Sequence, residues 1–310
     1  MNRSLVLTLV VGIGLGVGIT SLIFLAKRPA PTAAMVSTAT SPAEPGAPEP
    51  IQTTREPAAE PEPSPPSPPA KVETAPAAAA KPAFDFKTAF TAVAKKGLAA
   101  YGSKEMVELA DNVKASGKDG LRLVTEQLQN STSPQDRFLA AALLEKIGDP
   151  AALPALETAL KSDPDLLVRR MASHAAALIG TDAAVDVLRP AMLNDADWGV
   201  RVNSAYGLAK LKQPDGLETL QRFYTSPDTP AEYSLAILGG LADVAAPSTG
   251  PLFRKILNDT TDAGYVLIAI GALEKMKDSQ ALPDLQRITT SSQSDMVRQA
   301  AQRAIDNISK

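Results

Sequence analysis

One internal period constrains this chain more than any other feature. Arg137, Arg169 and Arg201 are spaced by 32 residues, and further steps land on Tyr233 and Tyr265, then on Arg298 after one inserted residue. Each early arginine follows a turn containing Asp and precedes an Ala-rich apolar run. The same run ends in Ile147-Gly148-Asp149-Pro150, then Ile179-Gly180-Thr181-Asp182, then Leu211-Lys212-Gln213-Pro214. A second apolar helix follows each turn: Leu121, Val124 and Leu128 recur as Leu153, Leu156 and Leu160, as Val185, Leu188 and Met192, and as Leu217, Leu220 and Tyr224. Apolar residues at i, i+3 and i+7 make one helix face. Gly and Pro between two such faces stop one helix and let the next begin at an angle, and Asp before the first helix offers an N-cap. A single helix pair cannot bury its faces alone, so the pairs must stack on one another.

The period predicts an all-α array with units at 102–133, 134–163, 164–195, 196–227, 228–259 and 260–292, closed by a single helix over 293–309. Residues 84–101, with Phe84, Phe86, Phe90 and Val93, predict an added amphipathic helix that caps the first unit.

The segments DRFLAAALLEKIGDPAALPALETAL at 136–160 and DPDLLVRRMASHAAALIGTDAAVDVLRPAML at 163–193 resemble the HEAT-like repeats of the family found in phycobilisome lyases. The resemblance covers about residues 102–309. It implies a right-handed α–α superhelix of the HEAT/armadillo type, and it implies little about activity, because repeat folds host many functions. Bilin-lyase-like or enzyme-accessory activity is the alternative that the family suggests. Deoxyhypusine hydroxylases, also built on such repeats, hold iron through repeated His-Glu pairs; here the single histidine, His174, is followed by Ala175 and no His-Glu pair occurs.

Before the repeats the composition changes twice. Residues 5–26 run uncharged and are mostly Leu, Val, Ile and Gly; about 20 such residues span a bilayer as a helix. The run is longer than the apolar core of a signal peptide and ends in Lys27-Arg28, so an uncleaved membrane anchor is expected over 1–28. Gly12, Gly14, Gly16 and Gly18 form two overlapping G-x-x-x-G pairs, a spacing that lets two membrane helices approach closely and form a homodimer. Residues 29–83 hold 15 of the 26 prolines, in stretches such as EPGAPEP and EPEPSPPSPP. That composition predicts a disordered linker with polyproline II bias. The layout is that of a single-pass protein of the inner membrane with its carboxy-terminal domain, 84–310, on the periplasmic side.

The chemistry is sparse. There is no cysteine, one histidine and a formal charge of −3, which leaves little material for thiolate, metal or imidazole catalysis and no basic face for nucleic acid. No enzyme activity and no cofactor are expected, and His174 reads as a structural residue. The functional candidates are surface residues. Stacking at the period aligns Arg137, Arg169, Arg201, Tyr233, Tyr265 and Arg298 in one stripe, either a strip for a protein partner or a ladder in which each arginine pairs with Asp163, Asp165, Asp195 or Asp197 in a neighbouring turn. Recurrence at one place in every early unit is what a packing device would produce, and the two tyrosines direct the search for a partner to later units. Trp198, where the preceding unit has Leu166, is either an exposed anchor or a core residue.

Overall fold

A computed structural model describes residues 84–310. The apolar segment 5–26, its Gly12, Gly14, Gly16 and Gly18, and the Pro-rich 29–83 lie outside the described residues. Among those described, there are fourteen α-helices and no strand, and no helix is long and apolar enough to cross a membrane.

The helices follow one another in pairs. The first is α2 (Lys104–Ala115) with α3 (Gly117–Asn130), followed by α4 (Pro134–Ile147) with α5 (Leu153–Ser162), α6 (Leu166–Ile179) with α7 (Ala183–Asn194), and α8 (Trp198–Lys210) with α9 (Pro214–Thr225). The fifth is α10 (Ser234–Val244) with α11 (Gly250–Asp259) and the sixth α12 (Ala263–Met276) with α13 (Leu282–Ser291), closed by α14 (Asp295–Ile308). Ahead of them α1 (Phe86–Ala94) buries Phe86, Phe90 and Val93 and packs against α2 and α4. It is shorter than the predicted 84–101, because the chain turns at Gly97 with φ 61° before a 3₁₀ turn over Gly97–Ala100.

Local chemistry sets these boundaries. The first helices of five pairs, and α14, start under a side-chain N-cap that accepts a backbone N–H: Ser103, Ser133, Asp165, Asp197, Asp262 and Ser294. The fifth pair departs from this. Pro230 stands where the period would begin the helix, a 3₁₀ turn over Ala231–Tyr233 intervenes, and α10 has no side-chain cap. The early first helices stop at Gly148 and Gly180, both left-handed (φ 70° and 71°), a conformation that glycine adopts without steric cost.

Packing follows from composition. The first helices of successive pairs lie side by side, α4 on α6 and α6 on α8, while α3, α5 and α7 line up along the other side. Ala140, Ala141, Ala142, Ala172, Ala175, Ala176 and Ala205 are fully buried in that first layer, where small side chains let the helices approach closely. The second helices contribute Val124, Leu156, Leu188 and Leu220, all with no exposed surface; each such burial is worth roughly 1.5–3 kcal/mol. The layer thins at one junction, where α8 meets α10 less extensively than α6 meets α8.

Candidate functional site

The arginine stripe is a rail of ion pairs that runs through two units and then stops. Arg137 grips Asp163 with both Nε and Nη2, at 2.7 and 2.9 Å, and its Nη1 donates to the Ser131 carbonyl at the end of α3. One unit on, Arg169 grips Asp195 at 3.0 and 3.3 Å and donates to the Asp163 carbonyl at the end of α5. Asp163 and Asp195 each also accept the N–H two residues on, from Asp165 and Asp197. Each arginine therefore caps the helix before it and binds the turn after it. The Asp163 pairing holds Arg137 above the ordinary arginine pKa. Arg298 repeats the capping bond, donating to the Ser292 carbonyl, and pairs with Asp295.

Arg201 is where the rail stops. Each paired aspartate lies 26 residues after its arginine; at that offset from Arg201 the chain has Pro227. Among the described residues Arg201 has no carboxylate partner, and its Nε is covered without an acceptor. The guanidinium lies over the rings of Trp198, at 4.2 Å from the centroid, and Phe223, at 4.9 Å. Trp198 is half-buried and meets Phe223 edge-on. Burial and the charge of Arg222 draw the Arg201 pKa below its ordinary value, against an opposing pull from Asp195. It stays cationic near neutral pH, since arginine is not deprotonated in proteins. A covered donor left without an acceptor costs about 1–3 kcal/mol, and cation–π contact offsets only part of that.

A looser series of ion pairs is interrupted at the same place. On the second helices Arg189 pairs with Asp215 at 2.7 Å, and Arg254 pairs with Asp278. Arg222 precedes Arg254 by one period and has no carboxylate partner among the described residues; it donates weakly to Thr219 and lies 5.9 Å from the Phe223 centroid. Two cations that elsewhere would be neutralised within the chain thus flank one aromatic ring in the fourth pair.

The other candidates are placed differently. Tyr233 is buried, and its hydroxyl accepts from Arg170 Nη2 at 2.8 Å. Arg170 is 1% exposed and grips Asp197 at 2.6 and 2.7 Å, and Gly199 leaves the room it needs, since a Cβ there would sit 2.4 Å from Arg170 Nε. Tyr233 is therefore a clasp from the fifth pair onto the third and does not extend the stripe. Tyr265 is half-buried against the core. His174 is 2% exposed inside α6, and burial lowers its pKa despite the pull of Glu145. Among the described residues no three His, Asp or Glu side chains are grouped as a metal site. Arg170, Arg222 and Phe223 were not singled out by the sequence. The spacing of Arg222 and Arg254 was the available signal for one of them; Arg170 has Phe138 and Val202 at its repeat positions, so the period gave no hint of it.

The family model for HEAT repeats matches residues 121–201 and 228–306, together more than half of the chain. The chain belongs to the HEAT-repeat family. The stretch between the two matched segments holds most of α8 and all of α9, so the interruption falls on the unit where both arginine series break. No curated protein matches the sequence significantly. Among solved structures, the chain is similar to the complex of CpcE and CpcF of phycocyanin lyase from Nostoc sp. PCC7120, at 18% identity and a TM-score of 0.44, over 77% of this chain and 99% of that one. It is also similar to human deoxyhypusine hydroxylase in complex with glycerol, at 18% identity and a TM-score of 0.34, over 71% of this chain and 84% of that one. At these identities the likeness concerns fold alone.

Proposed function

We propose that this HEAT-repeat protein is a membrane-anchored, non-enzymatic scaffold whose solenoid presents a protein-binding surface on the periplasmic side of the inner membrane. The observation that carries the reading is the coincident break of both arginine series at the fourth pair. Arg137, Arg169, Arg189 and Arg254 are neutralised within the chain, while Arg201 and Arg222 stand beside Trp198 and Phe223 without a carboxylate among the described residues. Arginine and tryptophan are the residues most enriched at binding hot spots. Anchoring rests on the uncharged run 5–26, and residues 29–83 would set the search radius and effective concentration of the solenoid.

Affinity capture from detergent-solubilised membranes tests the scaffold. The full-length chain is expected to retain a defined protein that the Trp198→Ala, Arg222→Ala variant releases. Recovery of the same proteins with both would remove this face from the proposal, and recovery of none would remove the scaffold. An alkaline phosphatase fused to the carboxy terminus should be active; an inactive fusion with a fluorescent cytoplasmic counterpart would reverse the topology.

A further inference from the structure

The rails themselves show what is missing at the fourth pair. Twice in succession the stripe arginine holds a carboxylate through Nε and Nη2, from an aspartate 26 residues on. At Arg201 that residue is Pro227, the Nε has no acceptor, and the guanidinium is only partly covered. The second series adds Arg222, also without a carboxylate among the described residues, on the same Phe223 ring. Asp195, the acid whose charge acts on Arg201, is already held by Arg169. The indole of Trp198 lies against the cation at 4.2 Å and offers apolar surface on which the methylene stem of an acidic side chain can rest. The fork geometry of arginine matches a carboxylate in two parallel bonds, and the ring quadrupoles hold the guanidinium in place with no acid to displace among the described residues.

We propose that Arg201 and Arg222, set against Trp198 and Phe223, form a notch that takes an acidic side chain from a partner protein, completing from outside the ion pair that the earlier units complete from within. The inference rests on the scaffold reading and adds the chemistry of the partner. It also accounts for Pro227: an aspartate at that position would fill the notch from within the chain.

Trp198 is the only tryptophan in the chain, so its emission reports on this notch. The probe is an acetylated, amidated hexaglutamate peptide titrated into the full-length protein at moderate salt. A saturable change in Trp198 emission is expected, with none for hexaglutamine. Arg201→Gln should weaken binding about tenfold or more, because both bonds of a charge-assisted fork are lost. Arg201→Lys should retain only part of the affinity, since the charge stays and the fork does not. Pro227→Asp should abolish the change while leaving the protein folded by circular dichroism. The proposal is overturned by an equal response to hexaglutamine, by inorganic phosphate binding as tightly as the peptide, or by wild-type affinity in Arg201→Gln or in Pro227→Asp. Capture from membranes separates the two levels: a partner retained by wild type, Arg201→Gln and Pro227→Asp alike would overturn the notch and leave the scaffold standing. Hexaglutamate binding that Arg201→Gln removes, with no partner captured by any form, would uphold the notch and count against the scaffold.

Discussion

The third and fourth helix pairs follow one pattern and spend their arginines differently. In the third, Arg169 is closed off by Asp195 and by a helix-end carbonyl. In the fourth, Arg201 sits at the same register on two aromatic rings with no paired acid among the described residues. The shared pattern concerns helix length, caps and buried faces; the divergence lies in one turn, where an Asp at 163 and 195 becomes Pro at 227. In a repeat protein stability is roughly a sum of unit and interface terms, so a unit can leave its surface unsatisfied while its neighbours hold the stack.

The largest effect should come from the clasp beside that divergence. Asp197 caps α8 and is also the counter-ion of Arg170, which is fully buried. Asp197→Ala removes the bidentate partner of that buried cation and should cost about 3–5 kcal/mol. Ser133 caps α4 through its hydroxyl alone, and Ser133→Ala should cost about 0.5–2 kcal/mol, the range for a lost cap. Urea unfolding of the two variants makes the comparison; equal losses would mean that Arg170 finds other compensation.

Next comes the rail itself. Arg137 and Asp163 are both nearly sealed from solvent, so Arg137→Gln strands a buried carboxylate and should cost about 3 kcal/mol. Arg201→Gln strands no carboxylate and trades the cation–π contact against relief of the covered, unsatisfied Nε donor, so stability should change by at most about 1 kcal/mol. The same measurement checks both, and a loss at Arg201 as large as at Arg137 would mean that the fourth-pair arginine is as structural as the others.

How much of this was legible beforehand depends on range. Helix ends came through because their causes are local: Ser133, Asp165, Asp197 and Asp262 cap within three residues, and Gly148 and Gly180 stop helices on the spot. The paired arginines were half legible, because the 32-residue period aligns them and the aspartates stand in the adjoining turns. Whether a given arginine meets one depends on a residue 26 positions on, and a stripe of arginines looks alike with or without it. Tyr233 was misplaced for a reason of register: Pro230 and the 3₁₀ turn delay α10 to Ser234, so the tyrosine falls before the helix and turns inward to Arg170. A buried pairing across 63 residues leaves no periodic trace.

A smaller effect restores the missing acid. Pro227→Asp extends the rail to Arg201, and a partly exposed pair of this kind is worth up to about 1 kcal/mol. Thermal unfolding should show a modest rise in Tm, largest at low ionic strength and fading with salt as the charges are screened. A rise that salt does not touch would point to relief of a backbone effect at Pro227 in place of an ion pair.

The smallest effect tests whether the contrast extends to the helix stops. The early first helices end at glycines, but α10 ends at Ala245 and α12 at Lys277, with φ of 49° and 55°. A left-handed L-residue carries about 1–2 kcal/mol of steric cost, while glycine forfeits roughly 0.5–1 kcal/mol in unfolded-state entropy. The net gain from Ala245→Gly is therefore about 0.5 kcal/mol. Lys277 is the poorer position for this test, because its ammonium also donates to the Asn307 carbonyl, whereas Ala245 has no side-chain bond to lose. Gly180→Ala should move stability the other way by a similar or larger amount, since it imposes the same steric cost on a turn that now lacks it. If Ala245→Gly gave no gain while Gly180→Ala was costly, the late stops would be held by their surroundings, and the late pairs would differ from the early ones only at the surface of the fourth.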